Sequence, residues 1–134
     1  MMVTKDERSD IRTEDQVVRV RQMVRQWATE LGFSLVDLTK IVTAASELAR
    51  NTVIYGGGGT FELQELQNNG RRGLRVVFED HGPGIGDLEL AMRDGYTTGN
   101  GLGLGLSGAK RLVNDFEIDS RPGEGTRVAI TRWK

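Results

Sequence analysis

The fold is decided by residues 74–84, LRVVFEDHGPG, where an apolar segment gives way to a carboxylate and then to glycines. The apolar part has the composition of a buried strand, and the turn-forming residues 68–73 join it to an earlier alternating segment at 60–67. The two segments therefore predict a hairpin whose second strand ends at Asp80.

Asp80 is followed at alternate positions by Gly82 and Gly84. A strand-end carboxylate beside glycines lets a ligand ring lie against bare backbone, and the carboxylate could accept the exocyclic N–H of an adenine. The same pattern is also typical of an Asp-Gly turn with structural glycines, so the segment alone leaves both interpretations open.

Helices are predicted on the N-terminal side of this hairpin. The first follows a capping box at residues 13–16 and ends at Gly32, and the second follows Ser34 and ends before the four glycines 56–59. On the C-terminal side we expect a short helix at 87–93, a helix that carries Leu106, Ala109, Leu112 and Val113 inward, and strands at 116–120 and 126–133.

This order of elements predicts an α+β fold in two layers. We expect a sheet of about four or five mainly antiparallel strands with helices on one face. The length of 134 residues suits a single domain over residues 1–134.

Composition limits the chemistry that the chain can perform. It has 18 Lys and Arg against 19 Asp and Glu, which leaves a formal net charge of -1 and argues against a nucleic-acid partner. One His and no Cys exclude thiol chemistry and His-based zinc sites. The sequence shows neither an apolar span nor a secretory signal, so we expect a cytoplasmic protein without a membrane partner.

Glu47 and Asn51 lie four residues apart on the second predicted helix, at the edge of its buried face. An amide oxygen is a suitable ligand for Mg²⁺, and a carboxylate one turn away can orient or deprotonate an attacking hydroxyl. Such a pair most often faces solvent, and therefore it becomes informative only beside other motifs.

A glycine-rich run at residues 99–108 leads directly into the helix expected near Leu106. Glycines at alternate positions let backbone N–H groups converge, so the run predicts an anion cradle rather than a flexible linker. The segment matches GxGxxG formally but lacks the preceding strand of a dinucleotide site. Lys110 lies one turn further on, as a candidate phosphate contact or a solvated surface charge.

Four motifs in order form a recognisable pattern: Glu47 with Asn51, Asp80-x-Gly82-x-Gly84, Gly101-x-Gly103-x-Gly105, and Gly123-x-Gly125-Thr126. They resemble the nucleotide-binding boxes of the Bergerat-type (GHKL) ATPases, and the residues around them look most similar to the RsbT-type switch kinases of bacterial stressosomes. A run of four glycines, 56–59, stands where many members of the superfamily have a His-containing loop.

The resemblance implies a role for each box. Asn51 holds Mg²⁺ against the phosphates of ATP, and Glu47 is the base for a serine hydroxyl. Asp80 accepts from the adenine amino group with support from Thr126, and Gly82 and Gly84 let adenine approach. A loop closes over the phosphates, and its cofactor-binding residues are Gly101, Leu102, Gly103, Leu104 and Gly105.

The implied function is an ATP-dependent protein-serine kinase that phosphorylates a STAS-domain scaffold protein. Once released, such a kinase activates an output enzyme such as a serine phosphatase. Two alternatives stay open. One is an anti-sigma factor kinase, and the other is a non-catalytic protein-binding module with the same fold.

Overall fold

The computed structural model describes residues 1–93 and 105–134, and in them a five-stranded sheet lies against helices. The strands run in the spatial order β1-β2-β3-β5-β4, and every neighbouring pair is antiparallel. This confirms the α+β prediction. The strands are β1 (Met2–Ile11), β2 (Gly59–Asn68), β3 (Arg71–Asp80), β4 (Asp115–Arg121) and β5 (Gly125–Trp133). The helices are α1 (Glu14–Leu31), α2 (Leu35–Ile54), α3 (Leu88–Ala91) and α4 (Leu106–Arg111).

Both long helices begin at the predicted caps. The Thr13 hydroxyl accepts from the Gln16 backbone N–H at 3.3 Å, and the Gln16 side chain accepts in return from the Thr13 N–H at 3.2 Å. Gly32 ends α1 in the left-handed conformation, with φ of 86°. Ser34 caps α2 by accepting from the Asp37 N–H at 3.1 Å. The Ser34 cap fixes where α2 starts, and the start of the helix determines which of its residues face the sheet.

The core lies between α1, α2 and the inner face of the sheet. Alternate residues of the central strands point inward and are buried, including Phe61, Leu63, Leu74, Val76, Phe78, Val128 and Ile130. Burying each such side chain stabilises the fold by about 1.5–3 kcal/mol. Because alternate residues of a strand face the same side, Asp80 points in the same direction as Val76 and Phe78. The carboxylate at the end of the strand therefore lies on the helix side of the sheet.

The central hairpin is tighter than the sequence predicts. Asn69 and Gly70 form its whole turn, with φ of 52° and 82°, and Asn68 already pairs with Arg71. Positive φ at both central residues matches the twist of the flanking strands, which lets the ladder begin at the turn. The predicted turn at 68–73 therefore extends too far into the second strand.

The sequence did not predict the first strand, β1 (Met2–Ile11). β1 pairs with β2 from Met2 opposite Gln67 to Ile11 opposite Gly59, and most of its residues are exposed. Because an edge strand exposed on both faces carries no apolar alternation, its sequence gives no strand signal. A side-chain contact also joins β1 to α1, since the Lys5 ammonium lies 4.2 Å from the centre of the Trp27 ring.

Gly105 directly precedes α4, which begins near Leu106 as predicted, although the helix is short. Leu106 and Ala109 are buried, while Leu112 and Val113 follow the helix and pack partly buried against the core. Asp87 caps α3, a single turn within the predicted 87–93 segment. No helix in residues 1–93 and 105–134 combines the length and apolar character that crossing a membrane requires.

Candidate nucleotide site

A cavity of about 220 Å³ opens between the C-terminal half of α2 and the ends of β3 and β5. Apolar side chains form most of its wall, with a few polar groups between them, which suits a flat heteroaromatic ring. It brings together four of the predicted site residues, which come from three separate parts of the chain. Those four are Asn51, Asp80, Gly84 and Thr126, and the apolar wall includes Leu48, Phe78, Ile85, Leu106 and Val128.

The Asp80 carboxylate is the charged group of this cavity. The residue is 9% exposed, and its Oδ1 accepts from the Gly82 backbone N–H at 2.9 Å. Burial raises the pKa of the Asp80 carboxyl above its ordinary value, while hydrogen bonds from the backbone N–H groups of Gly82 and Thr126 act in the opposite direction. A carboxylate that is poorly solvated in this way gains strongly from a ligand N–H donor.

Thr126 lies opposite Asp80 in the register of β3 and β5. Its Oγ1 is 2.7 Å from Oγ of Ser120, and Ser120 Oγ also accepts from the Ile85 N–H at 2.8 Å and donates to the Gly125 carbonyl at 3.1 Å. Since the one Ser120 proton goes to that carbonyl, the Thr126 hydroxyl donates to Ser120 and keeps its lone pairs as acceptors.

Ser120 was not recognised from the sequence as a site residue. The available signal was its place in the alternation Phe116-Ile118-Ser120, which puts a polar group on the inner face of β4. Its role depends on Ile85 and Gly125, and no local pattern connects those positions.

Gly82 and Gly84 are required by the packing of the chain on itself. A Cβ on Gly82 would lie 2.8 Å from Cα and O of Gly56, and one on Gly84, which has φ of 73°, would overlap the carbonyl oxygen of Arg121. Gly84 lines the cavity, but Gly82 does not. The sequence left ligand approach and structural glycines both open, and the structure gives a packing reason for each glycine.

Glu47 and Asn51 are half-buried, one turn apart on α2, as predicted. Asn51 lines the cavity, whereas Glu47 lies beyond its end and against Gly105 at the start of α4. A Cβ on Gly105 would lie 2.7 Å from Oε2 of Glu47, and Gly105 itself has φ of 67°. The amide therefore lies in the cavity wall, and the carboxylate lies one helical turn away on α2, outside that wall.

The remaining predicted contacts fall outside the cavity or outside the described residues. Lys110 is exposed on α4. Gly101, Leu102, Gly103 and Leu104 lie in the segment 94–104, between the two ranges that the structure describes. Their expected part in an anion cradle stays a prediction.

Arg132 connects α4 to the rest of the molecule. Its guanidinium donates to the carbonyl of Leu112, directly after α4, at 2.9 Å and to Oδ1 of Asp37 at 2.6 Å. The hydrogen bond from Arg132 is the main reason why the pKa of the Asp37 carboxyl is lowered. Asp37 and Arg132 are 95 residues apart, so neither residue alone pointed to this connection.

The donor set fits Mg²⁺ held together with phosphate oxygens. Within residues 1–93 and 105–134 no three His, Cys, Asp or Glu side chains converge as a metal cluster. The Asn51 carboxamide at the cavity wall is a hard oxygen donor, and Mg²⁺ commonly combines one or two protein oxygens with phosphate and water. Asn51 is the residue in this wall that would hold it.

The sequence is similar to proteins of known classification. Residues 12–132 match the family described as "Histidine kinase-like ATPase domain". The chain is 46% identical over 123 residues to the serine/threonine-protein kinase RsbT of Bacillus subtilis (strain 168), with 92% of each chain covered. It is 31% identical over 124 residues to an anti-sigma F factor of Bacillus licheniformis, with 84% of this chain and 80% of the relative covered.

Two solved structures share the fold. A crystal structure of the RsbU and RsbW domains of a Mycobacterium tuberculosis protein matches with a TM-score of 0.65 and 24% identity, over 98% of this chain and 33% of that longer one. The catalytic domain of the histidine kinase ThkA matches with a TM-score of 0.54 and 16% identity, over 94% and 95% of the chains. The chain therefore belongs to the histidine kinase-like ATPase family, among the relatives of the serine/threonine-protein kinase RsbT.

Proposed function

We propose that this protein-serine kinase transfers the γ-phosphoryl group of ATP to a serine of a STAS-domain scaffold protein and works as a partner-switching regulator in the cytoplasm. One observation carries the proposal. The cavity places a buried carboxylate, Asp80, at one end and an amide, Asn51, in its wall, with the Glu47 carboxylate one helical turn beyond.

At the base end, Asp80 recognises the adenine ring of ATP. Its carboxylate accepts from the 6-amino group, and Thr126 offers a second acceptor beside it because the Thr126 proton is used by Ser120. The apolar side chains around them, such as Phe78 and Val128, contact the faces of the ring. This combination of apolar walls and one charged acceptor selects a base with an exocyclic amino group.

At the phosphate end, Asn51 holds Mg²⁺ through its carboxamide oxygen. When bound, the ion neutralises charge that develops on the phosphate oxygens during transfer. The chain contributes position, since Asn51 and Glu47 extend from the same half-buried side of one rigid helix. Side chains four residues apart on a helix lie about 5–6 Å from each other at Cβ, which is a suitable spacing for a metal ligand and a base.

Glu47 is the catalytic base of the proposed reaction. It accepts the proton of the serine hydroxyl as the serine oxygen forms a bond to the γ-phosphorus, and the bond from that phosphorus to the β,γ-bridging oxygen breaks. The products are phosphoserine and ADP. Such in-line transfer depends mainly on positioning and electrostatic stabilisation, so a fixed carboxylate on α2 is adequate for it.

The partners follow from the kinship with RsbT and from the motif resemblance. The acceptor is a serine on a STAS-domain scaffold that also holds the kinase inactive, and the released kinase activates an output enzyme such as a serine phosphatase. The 46% identity over 92% of both chains supports assignment to this branch of the family.

The test is transfer of labelled γ-phosphate from Mg-ATP to a purified STAS-domain scaffold protein of the same organism. We expect phosphoserine with the wild type and with Glu79→Gln, a control that removes a half-exposed carboxylate next to Asp80 that does not line the cavity. Glu47→Gln and Asp80→Asn should each reduce the product strongly. ATP binding without transfer to the scaffold would contradict the proposed acceptor and favour a protein-binding role.

A second candidate function is phosphorylation of an anti-sigma antagonist together with direct binding of a sigma factor. The 31% identity to an anti-sigma F factor favours it. Co-purification of the chain with the sigma factors of its own organism separates the two candidates. A stable sigma-factor complex supports the second, whereas phosphoserine on the scaffold and no such complex supports the first.

A further inference from the structure

The four-glycine loop after α2 packs directly against the base-recognising carboxylate. A Cβ added to Gly56 would lie 2.6 Å from both Cβ and Oδ2 of Asp80, closer than any side chain tolerates. The φ of Gly56 lies outside the left-handed region, unlike those of Gly57 and Gly58. Glycine is therefore needed at position 56 for space and not for backbone conformation.

Gly82 completes this packing from the other side. A Cβ added to Gly82 would lie 2.8 Å from Cα and O of Gly56. The backbone N–H of Gly82 donates to Oδ1 of Asp80 at 2.9 Å. The Asp80 carboxyl is thus held by a hydrogen bond on one oxygen and by the bare Gly56 backbone beside the other. Because the backbones of Gly56 and Gly82 also contact each other, the Gly56 contact and the Gly82 hydrogen bond hold the Asp80 carboxyl together.

We propose that Gly56 is a positioning residue for nucleotide recognition, because its lack of a side chain lets the Asp80 carboxylate point at the 6-amino group of a purine. This inference rests on the proposed function, in which the cavity binds ATP. It assigns a role to the loop that stands where many members of the superfamily have a His-containing segment.

The inference predicts a selective defect. A methyl group at position 56 displaces the Asp80 carboxyl, and hydrogen bonds weaken steeply with distance and angle. The three atoms nearest to the added methyl all belong to Asp80, so we expect the apolar wall of Leu48, Phe78 and Val128 to keep its contacts with the ring. Binding energy from the amino group is lost, while binding energy from the ring faces and the phosphates is retained.

The experiment compares two nucleotides on the full chain by calorimetry: Mg-ATP and the Mg complex of purine riboside 5′-triphosphate, which lacks the 6-amino group. We expect Gly56→Ala to weaken ATP binding by about tenfold, part of a charge-assisted hydrogen bond, and to leave the amino-free analogue unchanged. Gly86→Ala is the matched control, because a Cβ there meets nothing within 4 Å and should alter neither affinity. An equal loss for both nucleotides, or no loss for either, overturns the inference.

Further variants keep the test decisive if Gly56→Ala does not fold. Gly82→Ala presses on the same contact from the opposite side, and we expect the same selective loss of ATP affinity. In an Asp80→Asn background, Gly56→Ala or Gly82→Ala should weaken ATP binding no further, and additive losses contradict the inference. A wild type that binds neither nucleotide contradicts the proposed function instead.

Discussion

The two ends of the proposed nucleotide site are constructed differently. At the base end, Asp80 is held by groups from three separate segments, namely Gly56 after α2, Gly82 after β3 and Thr126 on β5. At the phosphate end, Asn51 and Glu47 come from a single helix. The base end therefore depends on long-range register, whereas the phosphate end depends on local helix geometry. A change at one end should leave the other largely intact.

The largest effect is expected at the phosphate end. Glu47→Gln removes the base and keeps the size of the side chain, so transfer should fall by about 10²- to 10⁴-fold while ATP binding changes little. Single-turnover transfer and calorimetry on the same preparation measure the two quantities. Loss of ATP binding to the same extent would show that Glu47 is structural.

The matching change at the base end should act on affinity. Asp80→Asn abolishes a charge-assisted hydrogen bond worth about 1.5–3 kcal/mol, which weakens ATP binding by roughly 10- to 150-fold. Calorimetry with Mg-ATP gives the value, and Glu79→Gln serves as the control. Unchanged affinity in Asp80→Asn would remove the adenine assignment.

The two long helices, and with them the spacing of Glu47 from Asn51, could be predicted because their signals are local. The capping residues Thr13 and Ser34, and the spacing of Glu47 from Asn51, are short-range patterns, and the structure has them as expected. Asp80 was also recognised from its own strand and the glycines that follow it. For these residues, the neighbours in the sequence are enough to explain the local structure.

The rest depended on partners far away in the chain. Ser120 meets Ile85 across 35 residues, and Gly56 meets Asp80 from a different element. β1 has one fully buried residue, Ile11, so its pairing comes from backbone hydrogen bonds that no apolar pattern marks. Such contacts are visible only once the register of the sheet is known.

The hydrogen bonds by which Arg132 joins the end of α4 to the start of α2 can be tested by stability. Arg132→Met removes hydrogen bonds to the Leu112 carbonyl and to Asp37, and we expect a loss of about 1–3 kcal/mol in the free energy of unfolding, measured in urea. Arg72→Met is the control, because Arg72 is half exposed in its pair with Glu65 and such pairs contribute about 0–1 kcal/mol. Equal effects of the two changes would contradict a structural role specific to Arg132.

The smallest effect is a difference in pH dependence between two carboxyls. Burial raises the pKa of Asp80 in the folded protein, so its contribution favours the fold at low pH and is lost as pH rises through that pKa. The pKa of Asp37 is lowered, so its contribution is present at neutral pH and is lost as pH falls through the folded pKa. At pH 7, Asp80→Asn should therefore be more stable than the wild type and Asp37→Asn less stable, with both differences shrinking in acid. Urea titrations at several pH values measure this, and the same sign for both variants would contradict it.

In the proposed site, nucleotide recognition at Asp80 inside the cavity is separate from phosphoryl transfer at Glu47, one helical turn from Asn51 on α2. The most direct test is the rate of phosphoserine formation as a function of Mg-ATP concentration for the wild type, Asp80→Asn and Glu47→Gln. We predict that Asp80→Asn raises KM for ATP and approaches the wild-type kcat at saturation, while Glu47→Gln lowers kcat and leaves KM in place. Two variants that change the same parameter, or an Asp80→Asn enzyme with the wild-type KM, would contradict the account.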